Sequence, residues 1–361
     1  MTSLNRRDWI KSTGILGSAT AIAGLGSFSN VFAEEKKFNS RALKLPIKLN
    51  SNENPFGPSE RVRQAMQGAF DDGCRYPFAY SGKLLEQLAE KEGVTTDHIV
   101  ITGGSTEGLK IAGLTYGLYG GEILAPQPTF LAMMNYGKQF SATINWVPVG
   151  KDMGIDLEEM NRRITNNTKL IFICNPNNPT STLLPAKSLV DFCESASKET
   201  MVFSDEAYYD FIEEENYPSM VSLVKKGANV IVSRTFSKVY GLAGIRIGYL
   251  IARPDIANRL RENVVANTNI LALSAASEAL NDTEFYQFSI KKNKEAKALI
   301  YKTLDDLKLK YIKSHTNFVF FHTGRNITAL MEAMKNEGVL IGRPFPPFTD
   351  WCRISTGTIE E

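Results

Sequence analysis

One lysine stands where a nucleophilic amine would be useful. Lys238 closes the run Ser233-Arg234-Thr235-Phe236-Ser237-Lys238, just after the apolar Val230-Ile231-Val232, and Gly241, Gly244 and Arg246 follow. An amine at a buried strand end sits among apolar neighbours. Desolvation lowers its pKa and makes it a nucleophile toward an aldehyde. The hydroxyls of Thr235 and Ser237 and the guanidinium of Arg246 are suitable phosphate ligands. An ordinary surface lysine after a strand is the plainer explanation, but it leaves the hydroxyls and glycines unaccounted for. Asp205 follows Met201-Val202-Phe203-Ser204, which predicts partial burial, and a buried carboxylate needs a cationic partner. A protonated pyridine nitrogen would be one; a helix-capping aspartate is the common alternative. Tyr208, three residues on, reaches the same ligand. Gly103-Gly104-Ser105-Thr106 opens a helical stretch. Its glycines admit a close backbone approach and its first N–H groups are unpaired, which makes a phosphate cradle, although a plain serine N-cap reads the same way.

These groups need elements to hold them. Short apolar runs at 99–101, 122–125, 170–173, 201–203 and 230–232 alternate with helical faces such as Leu84, Leu85, Leu88, Ala89 and Leu189, Val190, Phe192, Cys193, Ala196. Continuous apolar strands between amphipathic helices predict a mostly parallel sheet covered on both faces. The run 246–251 begins only eight residues after Lys238. A parallel return needs a dozen or more, so this strand is expected to be antiparallel and the sheet mixed. In such sheets ligands bind beyond the carboxyl ends of the strands. Four of those ends carry polar tails: 103–106, Asn175-Pro176-Asn177-Asn178-Pro179-Thr180, 205–208 and 235–238. After about residue 275 come a long charged helix at 291–306, a strand at 317–321 and a short helix with Ile327, Leu330, Met331 and Met334 on one face. This predicts a smaller α+β domain.

The 361 residues are 43% hydrophobic and 22% charged, with a net charge of +2. That composition supports a sizeable core and argues against nucleic acid as a partner. Cys74, Cys174, Cys193 and Cys352 form no metal-like spacing, and His98, His315 and His322 are scattered. No metal site is expected, and the cysteines read as small buried residues. Residues 1–33 differ from the rest: Arg6-Arg7, a Gly/Ala/Ser-rich mildly apolar stretch, then Val31-Phe32-Ala33. This is similar to a twin-arginine export signal with a cleavage site, and predicts a periplasmic protein without a stable membrane anchor. Cytoplasmic location follows if the signal is not used. Removing it takes away Arg6, Arg7 and Lys11 against Asp8 and leaves the chain electrically balanced.

The chain resembles the fold-type I pyridoxal-phosphate enzymes, and among them the class I/II aminotransferases of the histidinol-phosphate aminotransferase type. The resemblance is carried, in the family's order over residues 45–358, by 51–57, Arg75-Tyr76-Pro77, 103–108, Pro128-Thr129-Phe130, 175–180, 205–208, 235–249 and Arg353-Ile354-Ser355-Thr356-Gly357-Thr358. It implies an aspartate-aminotransferase-like α/β fold: a large domain with a mostly parallel, mixed seven-stranded sheet, and a smaller α+β domain. The expected segments are an export signal (1–33), an arm and part of the small domain (34–74), the large cofactor domain (75–275) and the small C-terminal domain (276–361). The implied cofactor is pyridoxal 5'-phosphate, in a Schiff base with Lys238. Asp205 would keep the ring nitrogen protonated, Asn178 and Tyr208 would hold its phenolic oxygen, and Phe130 would stack on it. Ser105, Thr106, Thr235, Ser237 and Arg246 would bind the phosphate, and Tyr76 would reach it from the partner subunit of a homodimer. Arg353 would bind the substrate carboxylate, with Asn52 also at the substrate.

Two departures stand out. Ser181 replaces the glycine usual after Asn-Pro-Thr, and the chain stops at Glu361, where relatives continue with a terminal helix, so the small domain reads as truncated. The resemblance implies transfer of an amino group from an amino acid or phosphorylated amine to a 2-oxo acid. The alternatives are histidinol-phosphate transamination itself, an amino-acid-phosphate decarboxylase of the same family, and a non-catalytic cofactor-binding protein. The export signal weighs against histidinol phosphate, since histidine biosynthesis needs cytoplasmic intermediates.

Overall fold

A computed structural model describes residues 45–361. Residues 1–44, and with them the expected export signal, lie outside the described residues. Seven strands form the central sheet: β2 (Ile99–Thr102), β3 (Glu122–Gln127), β4 (Thr143–Pro148), β5 (Thr168–Cys174), β6 (Met201–Asp205), β7 (Val230–Thr235) and β8 (Gly248–Ala252), in the order β2-β8-β7-β6-β5-β3-β4. All neighbours are parallel except β8, which is antiparallel to both β2 and β7. The short return after Lys238 thus does what the crossover argument requires, though the strand begins at Gly248 and Arg246 stays in the preceding turn.

Both faces of the sheet are covered because the strand residues alternate. On β5, Ile171 and Ile173 join one apolar cluster, and Leu170, Phe172 and Cys174 join the other. The first cluster is roofed by the helices Phe78–Glu92, Ala186–Ala196 and Ile270–Asn281, and the second by Ser105–Gly117 and Pro254–Arg261. Each fully buried Ile, Leu or Phe contributes about 1.5–3 kcal/mol, so these faces fix which strand ends lie side by side.

A smaller group of elements packs beyond the large sheet. β1 (Ile47–Leu49) pairs in parallel with β10 (Val339–Ile341), and β9 (Phe318–His322) pairs antiparallel with β11 (Trp351–Ser355). The charged helix begins at Thr283 and runs to Asp306, eight residues earlier than its charge pattern predicts. The Asp282 carboxylate caps it by accepting from the Phe285 N–H, and its first turns bury Phe285 and Phe288. Cys174, Cys193 and Cys352 are buried as expected, but Cys74 is exposed. It ends a short 3-10 turn, Phe70–Cys74, that buries none of its residues. Gly57 and Gly241 meet backbone to backbone: a Cβ on either would lie 2.5 Å from the other's Cα. That approach presses the segment 52–57 onto the loop after Lys238. Among the described residues no helix is long and apolar enough to cross a membrane.

Candidate active site

The polar strand ends converge as the sequence predicts. A cavity of about 530 Å³ is lined by Asn52, Ser105, Thr106, Phe130, Asn178, Asp205, Tyr208, Ser237, Lys238, Arg246 and Arg353. Asp205 is the last residue of β6, not a helix cap, and is buried. Burial raises its pKa to about 7; the Glu206 charge also raises it, while the Ala207 N–H and Lys238 oppose the shift. Its Oδ1 has no hydrogen-bond partner. Lys238 is partly buried and its Nζ donates to the Asn52 carbonyl at 2.9 Å. Burial lowers its pKa to about 8, helped by the Arg353 cation and opposed by Glu53 and Asp205. An amine so shifted has a sizeable neutral fraction near neutrality.

The loop after β5 shows why its sequence is so rich in asparagine. Asn175 and Asn177 hold the loop. Asn175 accepts from the Leu184 N–H at 2.9 Å and donates to the Tyr217 hydroxyl at 2.8 Å. Asn177 donates to the Pro128 carbonyl at 3.1 Å and accepts from the Thr129 hydroxyl at 2.9 Å, which ties in the loop bearing Phe130. Asn178 alone faces the cavity. Its Nδ2 donates to the Tyr208 hydroxyl at 3.2 Å, and its Oδ1 accepts from Arg353 Nη1 at 2.8 Å. The Tyr208 hydroxyl also accepts from Asn52 Nδ2 at 2.9 Å, and burial pushes its pKa up. Ser181 turns this loop with φ 60°, a left-handed conformation that costs a side-chain-bearing residue about 1–3 kcal/mol.

The helix Ser105–Gly117 starts without a side-chain cap: its N-cap is Gly104, at φ 90°, and Ser105 is already helical. The serine-cap alternative is thereby excluded, and the first two helical residues, Ser105 and Thr106, line the cavity. The Arg246 guanidinium lies so close to Gly104 that any Cβ there would collide with it, and its Nη2 reaches the Gly103 carbonyl at 3.4 Å. Thr235 does not line the cavity; its hydroxyl accepts from the Ser237 N–H at 3.1 Å. It shapes the turn before Lys238, because β7 ends at Thr235 and turns its side chain inward. Tyr76 is 80% exposed against Phe78 and takes no part in the cavity of its own chain.

Arg353, on β11, is buried, and burial lowers its pKa to about 10. Its Nη2 donates to the Asn50 carbonyl at 2.7 Å, and its Nε has no partner. Arg343 shares this wall and was not singled out from the sequence. Both guanidiniums lie against the Phe345 ring, with carbons 4.4 Å (Arg343) and 4.9 Å (Arg353) from its centroid. Their hydrogen-bond partners are carbonyl and amide oxygens, not carboxylates. Glu53, Asn50 and Cys174 also line the cavity.

A pyridoxal phosphate fits this donor set. The buried Asp205 Oδ1 lacks a cation, a helix start and an arginine form an anion cradle emptied of any Cβ, and a low-pKa amine stands between them.

The family profile for "Aminotransferase class I and II" matches residues 45–361. The histidinol-phosphate aminotransferase of Moorella thermoacetica is 39% identical over 318 residues, covering 86% of this chain and 81% of that protein. Histidinol-phosphate aminotransferase 1 of Idiomarina loihiensis is 36% identical over 320 residues, 87% of this chain and 86% of the relative. The crystal structure of the Sinorhizobium meliloti histidinol-phosphate aminotransferase with pyridoxal-5'-phosphate superposes with a TM-score of 0.81 at 27% identity, over 91% of this chain and 90% of that one. A Thermus thermophilus aspartate aminotransferase, 21% identical, shares the fold at a TM-score of 0.77, over 100% of this chain and 96% of that one. The chain belongs to the class I and II aminotransferases. It is a pyridoxal-phosphate-dependent transaminase acting on amino and 2-oxo acids. The expectation of an exported, periplasmic protein does not stand. Its relatives are named histidinol-phosphate aminotransferases, and the family match starts at residue 45, beyond the stretch on which that expectation rested.

Proposed function

We propose that this transaminase takes an amino donor bearing a phosphate or carboxylate, with histidinol phosphate the first candidate, and works as a homodimer with shared sites. The observation that carries the substrate reading is the pair Arg343 and Arg353: two cations on one wall, against one aromatic ring, with no carboxylate to neutralise them. Guanidiniums recognise anionic oxygens by charge-assisted, forked hydrogen bonds. The names of the relatives supply the candidate, and the objection from export falls with the correction above.

Pyridoxal phosphate supplies the aldehyde that receives the amino group and the ring that withdraws electrons from the reacting carbon. The chain does the rest. Lys238 Nζ would hold the cofactor, and as a free amine would take the proton from the substrate alpha carbon and give it back later in the transfer. Its lowered pKa suits it to give and take protons near neutral pH. Asp205 Oδ1 would accept from the ring nitrogen and keep it protonated. Asn178 Nδ2 and the Tyr208 hydroxyl would hold the phenolic oxygen, and Phe130 would cover the ring. The backbone of Ser105 and Thr106, with Ser237 and Arg246, binds the phosphate, while Thr235 holds the turn. Arg353 and Asn52 orient the substrate. Tyr76, exposed on its own chain, completes the phosphate site of the partner, and the cofactor domain is read as 75–275 with the smaller domain in 276–361.

A half-reaction screen tests the substrate reading. Holoenzyme is mixed with single amino acids and phosphorylated amines, and loss of its visible absorbance is followed. Histidinol phosphate should convert it at least about 10-fold faster than an uncharged amine of similar shape. Equal rates would refute the role of the arginine pair, and release of carbon dioxide would instead mark a decarboxylase.

A further inference from the structure

We infer that Glu206 and Arg234 are positioning residues for the cofactor site, a buried ion pair behind the strand ends that fixes Asp205, Tyr208 and Asn178 relative to one another. The inference rests on the roles proposed for those three residues.

Asp205 and Glu206 are adjacent at the end of β6, yet only Asp205 lines the cavity. Glu206 Oε2 stands 2.8 Å from Arg234 Nη2, and both side chains are more than nine-tenths buried. Four further bonds lock the pair: Glu206 Oε1 accepts from the Met220 N–H at 2.8 Å and from the Ser204 hydroxyl at 3.3 Å, its Oε2 accepts from the Ser219 hydroxyl at 2.8 Å, and Arg234 Nη2 donates to that hydroxyl at 3.1 Å. The Arg234 guanidinium carbon lies 4.1 Å from the centroid of the Tyr209 ring. The Tyr209 hydroxyl donates to the Tyr217 carbonyl at 2.7 Å, and the Tyr217 hydroxyl accepts from Asn175 at 2.8 Å. This chain of contacts runs from β7, which leads to Lys238, through the segment bearing Asp205 and Tyr208, to the loop bearing Asn178.

A buried ion pair is weak evidence for stability, since apolar residues of equal volume often serve as well. This one also leaves Arg234 Nε buried without a partner. Its value lies in direction: charged hydrogen bonds admit one arrangement where apolar contacts admit several. The pair is electrically matched as well. Glu206 faces Arg234, which also feels Glu92, Asp210 and Tyr249, while Asp205 feels Glu206 and Lys238.

Two variants of the holoenzyme test this: Glu206→Gln alone, and Glu206→Gln with Arg234→Met. Cofactor dissociation constant, the pH midpoint of the bound cofactor's visible absorbance, kcat, KM and melting temperature are measured. The single variant leaves Arg234 without its hydrogen-bonded carboxylate behind the strand ends, so the midpoint should fall by about one unit and cofactor affinity by about 10-fold or more. The double variant removes both charges. Its midpoint should return to within about a few tenths of a unit, while kcat stays about 10-fold or more below wild type with KM little changed. Wild-type kcat and midpoint in both, with only the melting temperature moved, would overturn the inference. Should the single variant not fold, the double variant decides by its kcat and cofactor affinity. Asp205→Asn separates the premises: if it leaves cofactor binding intact, the proposed site roles fail; if it abolishes binding while the pair variants behave as wild type, only the positioning role fails.

Discussion

Replacing Asp205 by Asn should stabilise the apoenzyme while disabling the holoenzyme. The Asp205 carboxyl is buried with Oδ1 unpartnered, and its pKa is raised to about 7. The unfolded chain would titrate it near 3.9. The folded state therefore holds a proton that the unfolded state has lost, and stability falls as pH rises between about 4 and 7. A shift of about three units is worth about 4 kcal/mol at most, and solvent in the open cavity reduces it to roughly 2–4 kcal/mol. Asparagine has the same shape and no charge, so the variant escapes this cost. Urea unfolding of both apoproteins at pH 4 and pH 8.5 measures it. The two should agree at pH 4, and the variant should lead by the stated amount at pH 8.5. Adding cofactor should reverse the order, because only the carboxylate meets the protonated ring nitrogen. A variant no more stable than wild type at pH 8.5 would show that Asp205 already has its partner, and the case for a waiting cation site would fail.

Four other outcomes follow from the same geometry. Lys238→Ala should abolish covalent cofactor capture and multiple turnover; in the wild type the capture rate should rise with pH and level off above about 8, since the neutral fraction at pH 7 is about 300-fold that of an ordinary lysine. A rate still climbing at pH 10 would contradict the lowered pKa. Arg353→Lys keeps the charge but loses the fork that now holds Asn178 and the Asn50 carbonyl, so kcat/KM should drop about 10–100-fold. Ser181→Gly should raise the unfolding free energy by about 0.5–1 kcal/mol, seen as a higher urea midpoint, without touching activity; a lowered midpoint would mean that the bond from Ser181 Oγ to the Thr180 carbonyl, 2.6 Å long, outweighs the strain. Tyr76→Phe should weaken cofactor binding about 10-fold in the dimer, and a holoenzyme that sediments as a monomer with full affinity would refute the shared site.

What was legible in the chain divides along a physical line. The strands β2, β3, β5, β6 and β7 announce themselves because both their faces are buried and their residues are continuously apolar. β4 is invisible by that signal: of the two edge strands it is the uncovered one, with Thr143 and Pro148 exposed and only Val147 buried, whereas β2 at the other edge buries Ile99, Val100 and Thr102. β1 and β10 are three residues each and owe their existence to a pairing between residues about 290 apart in the chain. The same line runs through the site. Lys238, Asp205 and Asn178 follow strands and carry their own signal. Arg343 follows a three-residue strand and carries none; only the register of the smaller elements, with the Gly342 N–H donating to the Arg353 carbonyl at 3.0 Å, brings the two arginines onto one wall. Asn50 contributes its carbonyl, a group that every residue has.

Asn52 shows how the two groups of elements act as one site. Its backbone sits at φ 55°, strained for a residue with a side chain. Its N–H donates to Ser355 Oγ at 2.7 Å, and its Oδ1 accepts from the same hydroxyl at 3.1 Å. Its Nδ2 donates to Tyr208, and its carbonyl accepts from Lys238 and, at 3.1 Å, from Asn317. Ser355 and Asn317 belong to the smaller elements, and Tyr208 and Lys238 to the ends of the large sheet. The carbonyl that accepts from Lys238 is therefore tied, within one residue, to Ser355 on β11 and to Asn317 before β9.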